Sequence, residues 1–169
     1  MPHRNYLIEG ISGSGKTSVA TELERRGYHV VHGDRVLAFQ GDPETGERLP
    51  PERRSTEPAF INAHHIWDVA QVQAILADQT HPVTFFCGAS RNRHHFVHLF
   101  DAVFVLEIDR QTLARRIDSR RDEWGSEPAE RAEILRLHES REDLPADAIP
   151  IDATRPLPDI VDAILAHCR

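Results

Sequence analysis

The sequence predicts an α/β fold in which a largely parallel sheet is covered by helices on both faces. Three observations carry that expectation. Apolar runs of strand length alternate with segments whose apolar residues recur at helical spacing. The runs Val83-Thr84-Phe85-Phe86-Cys87 and Ala102 to Ile108 do not alternate cleanly between apolar and polar, as expected of strands buried on both faces. The early runs also stop at glycine, where a strand must give way to a turn or helix.

Tyr6-Leu7-Ile8 is the first strand and leads directly into glycines. Thr17 to Arg26 reads as a helix, with Val19, Ala20 and Leu23 on one face and Gly27 as its stop. Tyr28 to His32 is the second strand, ending at Gly33-Asp34. Residues 41 to 58 hold Gly41, Asp42-Pro43, Gly46, Pro50-Pro51 and Pro58, too polar and broken for a core element. Asn62 to Ala77 returns to helix, with Ile66, Val69, Ala70, Gln73 and Leu76 roughly on one side. The third and fourth strands are the two apolar runs named above, stopped by Gly88 and Asp109. A helix over 110 to 120 breaks around Trp124-Gly125, and another follows over about 128 to 141. Ala148-Ile149-Pro150-Ile151 is short and interrupted by proline, which makes it an edge strand. Leu157, Ile160, Val161, Ile164, Leu165 and Cys168 mark a final amphipathic helix.

A chain of 169 residues with 40% hydrophobic and 28% charged residues is expected to form one globular domain over residues 1–169. A net charge of -7 speaks against a nucleic acid backbone or an anionic membrane as partner. The two cysteines, Cys87 and Cys168, make neither a disulfide scaffold nor a zinc spacing, and no stretch has the length to span a bilayer. These features point to a cytoplasmic protein, monomeric or homodimeric.

Gly10-Ile11-Ser12-Gly13-Ser14-Gly15-Lys16-Thr17 matches G-x-x-x-x-G-K-[ST] between a predicted strand and a predicted helix. Glycines let the loop wrap closely around an oxyanion with its N–H groups turned inward. The helix start at Lys16, Thr17 and Ser18 adds unpaired N–H groups and the positive end of a dipole. Lys16 is expected to reach the β- and γ-phosphates of ATP, and the Thr17 hydroxyl to hold Mg²⁺.

Asp34 follows the second strand at the carboxyl edge of the sheet, where open α/β folds bind ligands. A carboxylate there can take a proton from an attacking hydroxyl or hold Mg²⁺; the plainer alternative is a helix cap. Arg35 beside it can grip a polar or anionic acceptor. Gly88, Arg91, Asn92 and Arg93 follow the third strand and can bind acceptor or phosphate oxygens. Arg116 and Arg120 are four apart on one helix face, next to the broken segment around Trp124, and suit a movable flap that neutralises phosphate charge. Asp152-Ala153-Thr154 turns between the last strand and the last helix, where its backbone can border an adenine. Neither His64-His65 nor His94-His95 has zinc-site spacing.

Together the Gly10–Thr17 loop, Gly33-Asp34, the Arg116/Arg120/Arg121 cluster and the Asp152-Ala153-Thr154 turn resemble the small P-loop kinases of the adenylate, shikimate and gluconate kinase type. Phe86 to Arg93, with Trp124-Gly125, also resembles a group of predicted nucleoside or nucleotide kinases. The resemblance implies a three-layer P-loop NTPase sandwich with five parallel strands, an acceptor-binding region over about 35–60 and a short lid over about 118–127. It implies transfer of the γ-phosphoryl of Mg-ATP to a small-molecule acceptor, with Lys16, Asp34, Arg116 and Arg120 as catalytic residues. Arg116 and Asp152 would join the loop in holding the nucleotide, and Asp34, Arg35, Gly88 and Arg91 would contact the acceptor. Two departures stand out. Cys87-Gly88 replaces the Asp-Gly often found in nucleoside monophosphate kinases, leaving more of the Mg²⁺ task to Asp34. Gly33-Asp34-Arg35 lies where shikimate kinases show Asp-x-Asp. A nucleotide-gated regulatory NTPase without a small-molecule acceptor is the alternative; no Asn-Lys-x-Asp guanine-reading segment is present.

Overall fold

A computed structural model describes residues 3–168. The first strand, β1 (Arg4–Gly10), leads through the glycine loop into helix α1 (Lys16–Arg25), and β2 (His29–His32) follows. The chain then makes α2 (Gly33–Val36), β3 (Ala38–Gln40), α3 (Pro58–Ala63), β4 (His65–Trp67) and α4 (Val69–Ala77) before β5 (Val83–Cys87). The second half holds β6 (Ala102–Glu107), α5 (Arg110–Asp118), α6 (Pro128–Ser140), β7 (Ile149–Asp152) and α7 (Leu157–Ala166). Five strands form one parallel sheet in the order β2-β5-β1-β6-β7.

The sheet separates two apolar layers, and the period-two geometry of a strand explains why its sequence does not alternate. Tyr6, Ile8, Phe85 and Phe104 point to one face and pack on Val19, Ala20 and Leu23 of α1 and Ile160, Val161 and Ile164 of α7. Their neighbours Leu7 and Phe86 point to the other face, against Val72 of α4 and Trp67, Phe96 and Phe100. A third cluster joins α5 to α6 through Leu113, Ile117, Ile134 and Leu135, with Trp124 against it. Pro150 sits in β7 at the sheet edge, where a missing N–H leaves no interior ladder broken. Among the described residues no helix is long and apolar enough to cross a membrane.

The continuous helix expected over 62–77 is corrected. The segment divides into α3, β4 and α4, and β4 pairs antiparallel with β3 in a separate two-stranded sheet. Pro58 stands in the first turn of α3. Asp68 caps α4 by accepting a 3.0 Å hydrogen bond from Gln71 N. Between those signals Ile66 and Trp67 are buried, and the burial of their side chains fixes an extended conformation that local spacing alone does not demand. The broken segment over 41–58 contains one turn of 3-10 helix at Pro51–Arg53. The gap between α5 and α6, residues 119–127, has no regular structure.

The Trp67 indole fills a slot that exists because two positions lack a side chain. A Cβ on Gly33 would fall 2.2 Å from Trp67 Cζ2, and one on Gly88 would fall 2.7 Å from the same atom. Gly88 also holds φ at +147°, in the region that favours glycine. Gly33→Ala should therefore destabilise the fold by about 1–3 kcal/mol through overpacking. Urea unfolding should show a lower midpoint at unchanged slope, and an unchanged midpoint would contradict this placement of the ring.

Candidate active site

The glycine loop leaves the carboxyl end of β1, the central strand, so it opens at the middle of the sheet's ligand-binding edge. Gly13 and Gly15 hold φ values of +92° and +106°, which turn the loop sharply before α1 begins. Helix α1 has no side-chain cap at its start. Its first N–H groups are left for an anion, in contrast to α4 and α5, which Asp68 and Asp109 cap. Lys16 Nζ donates to the Gly10 carbonyl. Desolvation holds the ammonium's pKa below its ordinary value, against the opposing pull of Asp34 and Glu9.

Arg116 and Arg120 both reach this loop from α5 and the turn after it. Arg116 Nη1 donates to the Ser14 carbonyl at 3.0 Å, and its Nη2 donates to the Ala153 carbonyl at 2.9 Å. Arg120 Nη1 donates to Ser12 Oγ at 3.0 Å and also to the Trp124 carbonyl. These contacts are chiefly to uncharged oxygens; the nearest carboxylate contact, Arg120 Nε to Glu123, is long at 3.9 Å. Glycine cradle, open helix start, lysine and two arginines form a donor set that fits a triphosphate.

Asp34 occupies the start of α2, directly after β2. Its Oδ1 accepts from His65 Nε2 at 2.8 Å, Trp67 Nε1 at 3.1 Å and Ala89 N at 3.3 Å. Desolvation raises the carboxyl pKa, but the hydrogen bond and charge of His65, then Lys16 and the Trp67 indole, outweigh it and leave the group below its ordinary value. Asp34, Arg35, Lys16, Thr17 and Gly88 share a small recess of about 60 Å³. Thr17 and Asp34 are thus the oxygen donors suited to a Mg²⁺ ion beside the loop. Among the described residues, no three His, Cys, Asp or Glu side chains converge into a metal cage.

One cavity of about 860 Å³ connects these parts. The loop, Thr17, Ser18, Arg116 and Arg120 line it at one end; Asp34, Arg35, Asn62, His65 and Arg91 line it as well. Trp124 both lines this cavity and packs on the α5–α6 cluster. Asp152 does not line it: its Oδ1 accepts from Thr154 N at 3.0 Å and Thr154 Oγ1 at 2.6 Å, which builds the turn before α7.

The residues after β5 divide differently from expectation. Asn92 is fully buried and exchanges hydrogen bonds with the Trp67 backbone, accepting from its N–H at 3.0 Å and donating to its carbonyl at 2.9 Å. It does not line the cavity. Arg93 is held by the buried Glu9, with Nη1 2.9 Å from both carboxylate oxygens. Burial pushes the Glu9 carboxyl up to about 7, against the pull of Arg93, Arg91 and Lys16. Arg91 remains on the cavity wall, paired with Asp143.

Sequence reasoning does not single out His65, Trp67, Asn62, Glu9 or Asp143 as parts of the site. Glu9 does leave a signal, a carboxylate inside an otherwise apolar strand. His65 and Trp67 are hidden by the helical spacing of 62–77. Asp143 leaves none, because its partners Arg91 and Asn62 are far away in the chain.

A family model described as an AAA domain matches residues 7–136. The chain belongs to the AAA domain family. Several solved structures are similar to this AAA domain along almost all of its length. A gluconokinase from Sinorhizobium meliloti 1021 superposes with a TM-score of 0.58 at 24% identity, covering 96% of this chain and 90% of that one. A sugar kinase from Janibacter sp. HTCC2649 gives 0.55 at 19% identity, covering 98% and 94%. A deoxyadenosine kinase from M. mycoides, with bound dATP, gives 0.53 at 14% identity, covering 97% and 98%. At these identities the likeness is one of fold, shared with a gluconokinase, a sugar kinase and a deoxyadenosine kinase. No curated protein matches the chain.

His65→Ala removes the leading influence that lowers the Asp34 pKa. Carboxyl-carbon NMR titration should show the Asp34 midpoint moving upward in the variant. An unmoved midpoint would mean that His65 does not hold this carboxylate.

Proposed function

We propose that this AAA domain is an ATP-dependent phosphotransferase that moves the γ-phosphoryl of Mg-ATP to a hydroxyl of a small-molecule acceptor. The observation that carries this reading is the single cavity that joins an anion-binding loop to a strand-end carboxylate fixed by three donors. The shared fold with a gluconokinase, a sugar kinase and a deoxyadenosine kinase supports it.

Each residue has a part in that chemistry. The N–H groups of Gly13 to Thr17 and the Lys16 ammonium hold the phosphates. Thr17 and Asp34 would hold Mg²⁺, which when bound neutralises charge on the phosphate oxygens. Asp34 accepts a hydrogen bond from the acceptor hydroxyl and aims it. A carboxylate with a lowered pKa is a weak base, so aiming contributes more than early deprotonation, as suits a loose phosphoryl-transfer transition state. Arg116 and Arg120 exchange their present oxygen partners for phosphate oxygens, an interaction that strengthens with developing charge. Residues around 35–67 form the acceptor side, and residues 119–127, with Trp124, shield the reaction from water.

Labelled ATP and a broad panel of nucleosides, nucleotides and hydroxylated metabolites test the reading. Acceptor-dependent transfer is expected. Lys16→Ala should lower kcat/KM by about 10²–10³-fold through lost transition-state stabilisation. Asp34→Asn should lower kcat by about 10²–10⁴-fold with ATP binding retained. Slow hydrolysis alone, with nucleotide-dependent capture of a protein partner, would favour a regulatory NTPase instead.

A further inference from the structure

Glu9 immediately precedes Gly10, so it stands beside the phosphate-binding loop without belonging to it. It is only 1% exposed, yet it lines the cavity. Its register partner in β6 is Val105, which brings no charge. The turn after β5 brings Arg93, whose Nη1 lies 2.9 Å from both carboxylate oxygens, and Arg91, whose own partner is Asp143. The loop after α6 brings the Asp143 carbonyl, which accepts from the same Arg93 Nη1 at 3.1 Å. One guanidinium nitrogen is thus shared between the main chain and a buried carboxylate. From α1 comes Lys16, whose Nζ rests on the Gly10 carbonyl and whose charge attracts Glu9. Asp34 and Arg120 face Lys16 in turn. Burial outweighs these cations and pushes the Glu9 carboxyl up to about 7.

A bound triphosphate changes this balance in one direction. Lys16 would turn its ammonium from the Gly10 carbonyl to the phosphates, and their negative charge would enter the cavity that Glu9 lines. Both changes raise the cost of keeping a buried carboxylate ionised. Uptake of a proton removes that cost. It also leaves Arg93 without an ionised partner, so the field at the phosphates becomes more positive. We infer that Glu9 is the proton-binding residue of the nucleotide site, taking up a proton from solvent as Mg-ATP binds and returning it on release. This rests on the nucleotide-binding part of the reading above. The effect is reciprocal: a proton on Glu9 strengthens nucleotide binding by as much as the nucleotide strengthens proton binding. Below about 7 Glu9 is already protonated in the free protein, and affinity is highest there. Above that pH each binding event must capture a proton. Affinity then falls as pH rises, until the bound form is ionised as well. Glu9 sets nucleotide affinity in this way without touching the transferred group.

Calorimetric titration with Mg²⁺ and a non-hydrolysable ATP analogue, repeated in buffers of different ionisation enthalpy, counts the protons exchanged. At pH 7.5 the wild type should take up on the order of half a proton per nucleotide, and Kd should rise about five-fold from pH 6.5 to pH 8.5. Glu9→Gln keeps the shape of the side chain but removes the titrating group. It should lose that uptake and bind the analogue about five-fold more tightly than wild type at pH 8.5, while nearly matching it at pH 6.5. Comparison with this variant also subtracts protons exchanged elsewhere on the cavity wall. Equal uptake in the wild type and in a Glu9→Gln protein whose circular dichroism matches it would overturn the inference. Should the variant not fold, carboxyl-carbon NMR of the wild type decides. The Glu9 midpoint should move upward when the analogue binds, and an unmoved or lowered midpoint would equally overturn the inference. No binding of the analogue at any pH would instead overturn the nucleotide-binding reading and take this inference with it.

Discussion

The Trp67 indole, seated in the slot between Gly33 and Gly88, is the contact on which the site's geometry depends. The residue is 1% exposed, and its ring stacks parallel to Phe96 at a centroid distance of 5.8 Å. Its Nε1 donates to Asp34. Its backbone is clamped by the buried Asn92, and the nearby His65 carbonyl accepts from Arg91 N at 2.8 Å. One residue thereby ties the β3–β4 excursion to the edge of the main sheet and aims the Asp34 carboxylate. Burial of the ring supplies the driving force, roughly 1.5–3 kcal/mol for a large apolar side chain. The hydrogen bonds supply direction, since each would be costly to leave unmade in so dry a place.

A second constraint is electrostatic. The loop end of the cavity concentrates positive charge whose partners are mostly neutral oxygens, whereas Arg91 and Arg93 are matched to Asp143 and Glu9. The two arrangements have different consequences. Cations bonded to carbonyls gain when a phosphate replaces the carbonyl. Cations already paired with half-buried carboxylates lose when the pair is broken, because the carboxylate left behind has no partner. The same residue type therefore has neutral oxygen partners at one end and carboxylate partners at the other.

Much of this architecture is legible in the sequence where local chemistry determines the outcome. The Gly10–Thr17 loop needs glycines with left-handed backbone, and β5 and β6 of the parallel sheet announce themselves through unalternating apolar runs. Asp34 is legible because a strand end in an open α/β sheet is a ligand position whatever the partners. What stays hidden depends on contacts distant in the chain. His65-Ile66-Trp67 fits a helical pattern until Ala38–Gln40 is available to pair with it. Arg91 and Arg93 look equivalent in sequence, yet of the two Arg91 alone lines the cavity, because Glu9 draws Arg93 away. Asn92 looks like a ligand donor but fits the Trp67 backbone.

If the molecule is a phosphotransferase, its loop-end arginines are held in reserve for phosphate while Asp34 stays fixed. A crystal structure with Mg²⁺ and a non-hydrolysable ATP analogue tests it most directly. The triphosphate should lie against the N–H groups of Gly13 to Thr17, with Arg116 and Arg120 moved from their present oxygens onto it and Asp34 still bonded to His65 and Trp67. A triphosphate bound with both arginines still on Ser12, Ser14 and Ala153, or with Asp34 released from Trp67, would contradict it.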